Sequence, residues 1–123
     1  MNRWIASTFD EFGRVLGIDG LAPGRDGGLV LDVGQRQLAF QVLDDAVVVL
    51  LATRLPPGDA LAVKCRALGL CHRRHGWSLP VRAGLARDGR LVFLVRVPTR
   101  QFQLPLLEQA YDLMGRLHQQ AAG

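Results

Sequence analysis

Between Leu70 and Trp77 the chain reads LCHRRHGW, gathering one thiol, two imidazoles, two guanidiniums and an indole in eight residues. Three chemistries draw on such groups. Cys and His ligands hold zinc, a Cys beside a His base makes a nucleophile, and arginines beside an aromatic ring take nucleic acid. With Cys65 added, a four-ligand Cys/His set can be counted. Spacing argues against it. Zinc ligands converge at about 2.0–2.3 Å and are offered by short spacings such as C-x-x-C. On a continuing helix Cys65 and Cys71 lie roughly 240° apart, so they meet at neither an ion nor a disulfide unless the helix ends between them. Cys71 and His75 stand four apart, which leaves two or three ligands at most. No Asp or Asn in the stretch orients a Cys–His couple, and nothing positive supports His72 and His75 as a pH switch. The stretch therefore reads as a solvated helix exit, where positive charge suits the negative end of the dipole, with Cys65 packed as a small apolar residue. No catalytic residue, metal or cofactor is expected.

Composition narrows the class further. A chain of 123 residues is expected to form one domain, residues 1–123. Hydrophobic residues make up 49% of it, more than a small monomer comfortably covers, so a protein partner is expected. The longest apolar run, Ala46 to Ala52, is far short of a membrane span, and the N-terminus MNRWIASTFDEF carries acids where a signal peptide needs its apolar core. Residence in the cytoplasm without integral membrane insertion is the expectation. The net charge of +4 admits nucleic acid as a ligand. The arginines are, however, spread from Arg3 to Arg116, and only Arg73 and Arg74 adjoin. Phe9, Phe12, Phe40 and Phe93 fall on apolar stripes that read as core, and Trp77 alone lies beside Arg73 and Arg74. No nucleic-acid partner is expected; a small basic adaptor for nucleic acid or an acidic protein is the alternative.

The elements that position these groups follow from periodicity. Trp4 to Leu16 is an expected amphipathic helix: Ile5, Phe9, Phe12 and Leu16 repeat at helical spacing, and Trp4, Thr8 and Val15 widen the stripe. The glycine-rich GIDGLAPGRDGG follows a helix and opens a strand, which makes it a connector rather than a phosphate-cradling loop. Three strands come next. Leu29, Leu31 and Val33 alternate, as do Leu38, Phe40 and Val42, and AVVVLLAT is apolar on both faces. A second helix is expected from about Asp59, a potential cap, to Leu70. Leu61, Cys65 and Leu68 form one apolar face of it, and Val63, Ala67 and Leu70 another, so burial from two sides is expected. LPVRAGLA and RLVFLVRV flank a hairpin turn at Asp88-Gly89. Pro105 opens a last helix to about Gln120, with Leu106, Ala110, Leu113 and Leu117 on one stripe and Leu107, Tyr111 and Met114 on its neighbour. The expected class is α+β: helix, three strands, helix, two strands, helix, with a mostly antiparallel sheet.

This order, with WSLPVRAGLARDGRLVFLVRV followed by QLPLLEQAYDLMGRLHQQ, resembles the class I chaperones of type III secretion, and within them the SycN type. RWIASTFDEFGRVLGI is similar to the first helix of that type. The resemblance implies a dimeric chaperone fold without catalysis. It implies pairing as a heterodimer with a second small chaperone of the YscB type, and a client that is a secreted gatekeeper like YopN or PopN. It also implies a cytoplasmic location, peripheral at the injectisome base, and a client segment that fills apolar grooves and adds a strand at a sheet edge. The basic balance, with a pI near 10.0, departs from the acidic character usual in class I chaperones; an acidic partner would offset it.

Two surfaces are expected from the patterning. The wide stripes of the first and last helices suggest an apolar groove for the client, lined by Trp4, Thr8, Val15, Leu107, Tyr111 and Met114. The two-faced middle helix and the strand after it suggest a dimer interface of Leu61, Leu68, Leu70, Trp77 and Val81.

Overall fold

Helix α1 (Arg3–Leu16) starts where the Asn2 side chain accepts the Trp4 N–H at 2.7 Å. It stops at Gly17, whose φ of 81° suits a residue without Cβ. The Ile18 N–H then returns to the Gly13 carbonyl at 2.7 Å, folding the following segment across the helix end. The computed structural model describes residues 2–55, 58–71 and 79–123.

Strands β1 (Gly28–Val33), β2 (Arg36–Val42) and β3 (Ala46–Thr53) form an antiparallel meander. Helix α2 (Ala60–Leu70) follows, then the hairpin β4 (Val81–Leu85) and β5 (Leu91–Pro98), and helix α3 (Leu104–Ala122) closes the fold. β5 inserts beside β3, so the sheet order is β1-β2-β3-β5-β4, antiparallel throughout. This is the expected α+β class and element order. The hairpin turns where Asp-Gly predicts: Gly89 takes φ 86°, and Leu85 pairs with Leu91.

One face of the sheet carries the core. Phe40, Leu51 and Phe93 share that face by register, and all three are buried. Phe9 of α1 meets Phe40 edge-on at 5.0 Å, and His118 of α3 stands edge-on to Phe93 at 4.7 Å. α3 touches α1, α2, β3 and β5, so it lies between the other two helices and on the sheet. Three neighbours need a wide apolar surface, and this is why α3 carries two stripes. On the opposite face Val30, Ala39, Leu50 and Leu94 stand in one row across the strands, with Val30 exposed at the β1 edge.

Two expectations about α2 need correction. Asp59 sits at the N-cap position, but its side chain makes no capping hydrogen bond. The helix is held instead at its middle, where Arg66 Nε donates to the Ala121 carbonyl at 2.7 Å. Cys65 is exposed rather than packed, because it belongs to the outer of the two faces.

Candidate client-binding and pairing surfaces

The α1 stripe is broad because it holds the segment that leads into α3. Trp4 Nε1 and Thr8 Oγ1 both donate to the Phe102 carbonyl, at 2.7 and 3.1 Å. Thr8 is buried by this contact, while Trp4 keeps 41% of its surface exposed. Phe12 reaches Tyr111 of α3 edge-on at 6.0 Å.

Of the six groove residues, three do not line an open surface. Thr8, Leu107 and Met114 are buried among the protein's own elements, since α3 is enclosed by α1, α2 and the sheet. That corrects the expectation of exposed stripes at these positions. Trp4 and Val15 are exposed, Val15 by 58%, and Tyr111 is half-buried. Trp4 and Val15 stand eleven positions apart, roughly 16 Å along one face of α1. Ile18, also exposed, extends the apolar surface past the helix end.

The second surface is more coherent. α2 buries Val63 and Ala67 and leaves Leu61 and Leu68 exposed by 75% and 65%. The two faces separate as their spacing divides them, with Cys65 between the exposed leucines and Leu70 half-buried on the inner side. Beside Leu68 a cavity of about 150 Å³ is walled by Ala67, Ala83, Leu85 and Leu91, and Leu85 is itself exposed. Val81 differs from expectation: it is buried in the protein's own core opposite Val95, because the sheet register turns it inward. Trp77 lies outside the described residues.

Leu85 and Phe102 are missing from the expected site. Leu85 had a signal, since Val81, Ala83 and Leu85 alternate on the inner side of β4. Phe102 had one as well, an aromatic one residue before the N-cap Gln103, where a hydrophobic staple sits.

Titratable groups add little chemistry to either surface. Burial pushes the Cys71 thiol up, away from the thiolate a nucleophile needs. The Arg90 backbone N–H, and then the Arg90 side chain, hold the Asp88 carboxyl below its usual range within the hairpin turn. Among the described residues no three His, Cys, Asp or Glu side chains gather as metal ligands, and His72 and His75 lie outside those residues. No described helix is long and apolar enough to cross a membrane.

Solved structures place the fold. The protein superposes on one subunit of the heterodimeric ExoU-SpcU complex of the Pseudomonas aeruginosa type III secretion system with a TM-score of 0.67. That match has 22% identity and covers 92% of this protein and 93% of the other. A subunit of the ExsC-ExsE complex gives 0.72 at 16% identity, covering 93% and 87%. The Yersinia pestis type III secretion chaperone SycH gives 0.64 at 12% identity, covering 94% and 98%, so the fold is one found among type III secretion chaperones. The family described as "Type III secretory system chaperone SycN" matches residues 4–122. The chaperone protein SycN of Yersinia enterocolitica is 38% identical over 85 residues, which are 69% of this protein and 55% of that relative. The chain belongs to the SycN family of type III secretion chaperones. The matched segment spans little more than half the length of that relative.

Proposed function

We propose that this protein is a non-enzymatic cytoplasmic chaperone subunit, one domain over residues 1–123, that pairs with a second small chaperone of the YscB type. The pair binds the N-terminal segment of a secreted gatekeeper like YopN or PopN and keeps it unfolded and ready for export, peripheral at the injectisome base. The observation that carries the pairing is the outer face of α2. Two leucines exposed by 75% and 65% on one helix, beside an apolar cavity, are an apolar surface that the protein itself leaves uncovered. Burying each leucine contributes about 1.5–3 kcal/mol. The basic balance supports a hetero-pair, since an acidic subunit would offset it. Client contact is assigned to the exposed apolar surface of α1, at Trp4, Val15 and Ile18, together with the half-buried Tyr111. A strand of the client would add at the β1 edge, where Val30 is exposed.

The test is co-expression of the protein with a YscB-type chaperone and the N-terminal segment of a gatekeeper. A complex of one copy of each small chaperone with the segment, by native mass spectrometry, supports the reading. A stable monomer that leaves both behind refutes it.

A further inference from the structure

Arg36, at the start of β2, and Arg54, just past the end of β3, meet the end of α3 around a cavity of about 320 Å³. His118 lines this cavity, and Leu55, Val63 and Leu91 give it apolar walls. No Asp or Glu stands among the described lining residues, and neither arginine makes an ion pair with a described carboxylate. Arg36 reaches over α3 at Gly115, one turn before His118; a Cβ at Gly115 would lie 3.4 Å from its Nη1.

His118 is the second observation. Only 3% of it is exposed, its Nε2 donates to the Leu51 carbonyl at 2.6 Å, and its Nδ1 is buried without a partner among the described residues. With Nε2 donating, Nδ1 is an acceptor without accessible surface, so His118 closes the cavity floor as a neutral ring that a charge bound above it can shift. We propose that this cavity is a binding site for a carboxylate carried on an aliphatic stem, met as a Glu side chain or as the free C-terminus of a bound peptide.

The chemistry of the lining selects that class. Two guanidiniums without carboxylate partners attract an anion and fit a carboxylate by paired N–H bonds. The apolar walls receive the methylene groups behind it, in the usual arrangement of an apolar pocket with a few converging polar groups. Around the His118 ring stand Arg36 from β2, Leu51 from β3, Phe93 from β5 and, across the cavity, Arg54; the Arg36 charge disfavours a proton on the ring until an anion offsets it. Burial already holds its pKa below the ordinary value, despite the Leu51 bond that acts the other way, and Arg36 lowers it further. A carboxylate bound beside Arg36 therefore favours proton uptake by His118, and its binding strengthens as pH falls into the range where the ring titrates. That the carboxylate arrives on a polypeptide rests on the chaperone reading; the pocket's preference for it does not.

The probes are acetyl-Leu-Glu-Leu amide, its Gln counterpart, and acetyl-Leu-Leu with a free and an amidated C-terminus. Each is titrated into the full-length protein by calorimetry at about pH 6 and about pH 8, while the His118 ring is followed by NMR. The acid of either pair is expected to bind at least about tenfold tighter than its amide, with proton uptake and a rise in the His118 pKa. Which acid does so separates the Glu side chain from the peptide terminus. R36Q with R54Q should remove the preference while circular dichroism stays unchanged. Equal binding of acid and amide, an unchanged preference in the double variant, or no binding by any probe overturns the proposal. Failure of gatekeeper capture with the acid preference intact would instead remove the chaperone reading and leave the pocket standing.

Discussion

The indole N–H of Trp4 and the hydroxyl of Thr8, one turn apart on α1, donate to the same acceptor, the carbonyl oxygen of Phe102. One oxygen therefore joins the first helix to the residues entering the last, across 98 positions of sequence. Replacing one donor leaves the other in place, whereas removing both strips a carbonyl beside the buried Phe102 of its side-chain partners. Trp4→Phe and Thr8→Val are each expected to cost about 0.5–1.5 kcal/mol, and the double variant more than their sum. Urea unfolding of the four proteins measures the cycle; strict additivity would show that the shared acceptor is not a coupling point.

The same contact explains which part of the site could be read from sequence. Helical spacing places Trp4, Thr8 and Val15 on one stripe correctly, and it divides α2 into the two faces that the structure shows. It cannot say what covers a stripe. Met114 and Leu107 are enclosed because β5 inserts beside β3 and α3 settles between α1 and α2, a topology that no local pattern encodes. Met114→Glu should therefore lose most of the cooperative unfolding transition, since it places a carboxylate in the core. Val15→Glu, on an exposed position, should shift stability by no more than about 0.5 kcal/mol and report on client capture alone. Thermal melts of both, followed by pull-down with the gatekeeper segment, separate the two; a well-folded Met114→Glu would contradict the packing.

Two helical glycines make opposite predictions. A Cβ at Gly13 would meet the Ile18 carbonyl oxygen and the Leu21 Cβ, each at 2.7 Å, so Gly13→Ala forces apart the turn that closes α1. At Gly115 the nearest atom is the far end of Arg36 at 3.4 Å, an ordinary contact. Gly13→Ala is expected to destabilise by about 1–3 kcal/mol. Gly115→Ala should stabilise by up to about 1 kcal/mol through helix propensity. Denaturant midpoints at constant slope decide both signs.

His118 sets a pH dependence whose sign follows from its surroundings. Burial lowers its pKa, the Leu51 hydrogen bond opposes that, and the charge of Arg36 adds to the lowering. The folded state thus holds the imidazole neutral at pH values where the unfolded protein, with its ordinary 6.5, is already taking up a proton. Its contribution is present in full above that value and is lost as pH falls through the folded pKa. Arg36→Gln should shrink the loss by letting the folded pKa rise. Stability measured between about pH 8 and about pH 5 should slope downward in the parent, slightly less in Arg36→Gln and least in His118→Gln; an undiminished slope in His118→Gln would remove His118 as the cause.

The outer face of α2 gives the sharpest test of pairing. Leu68 is exposed by 65% in the unpaired protein, next to the cavity walled by Ala67, Ala83, Leu85 and Leu91. A charge there meets water in the unpaired protein but would be driven into an apolar contact in a pair. Leu68→Asp should therefore leave circular dichroism and the stability of the unpaired protein within about 0.5 kcal/mol of the parent. The same change should weaken association by at least about 1.5–3 kcal/mol, the burial it forfeits, with the desolvated carboxylate adding to the loss. Leu70→Asp is the matched control: Leu70 is half-buried against the core, so its replacement should lower stability before it touches pairing. Sedimentation with a YscB-type chaperone, read beside the melting curves, distinguishes the two effects. If Leu68→Asp pairs as well as the parent, the α2 face is not the interface, and the exposed leucines need another partner.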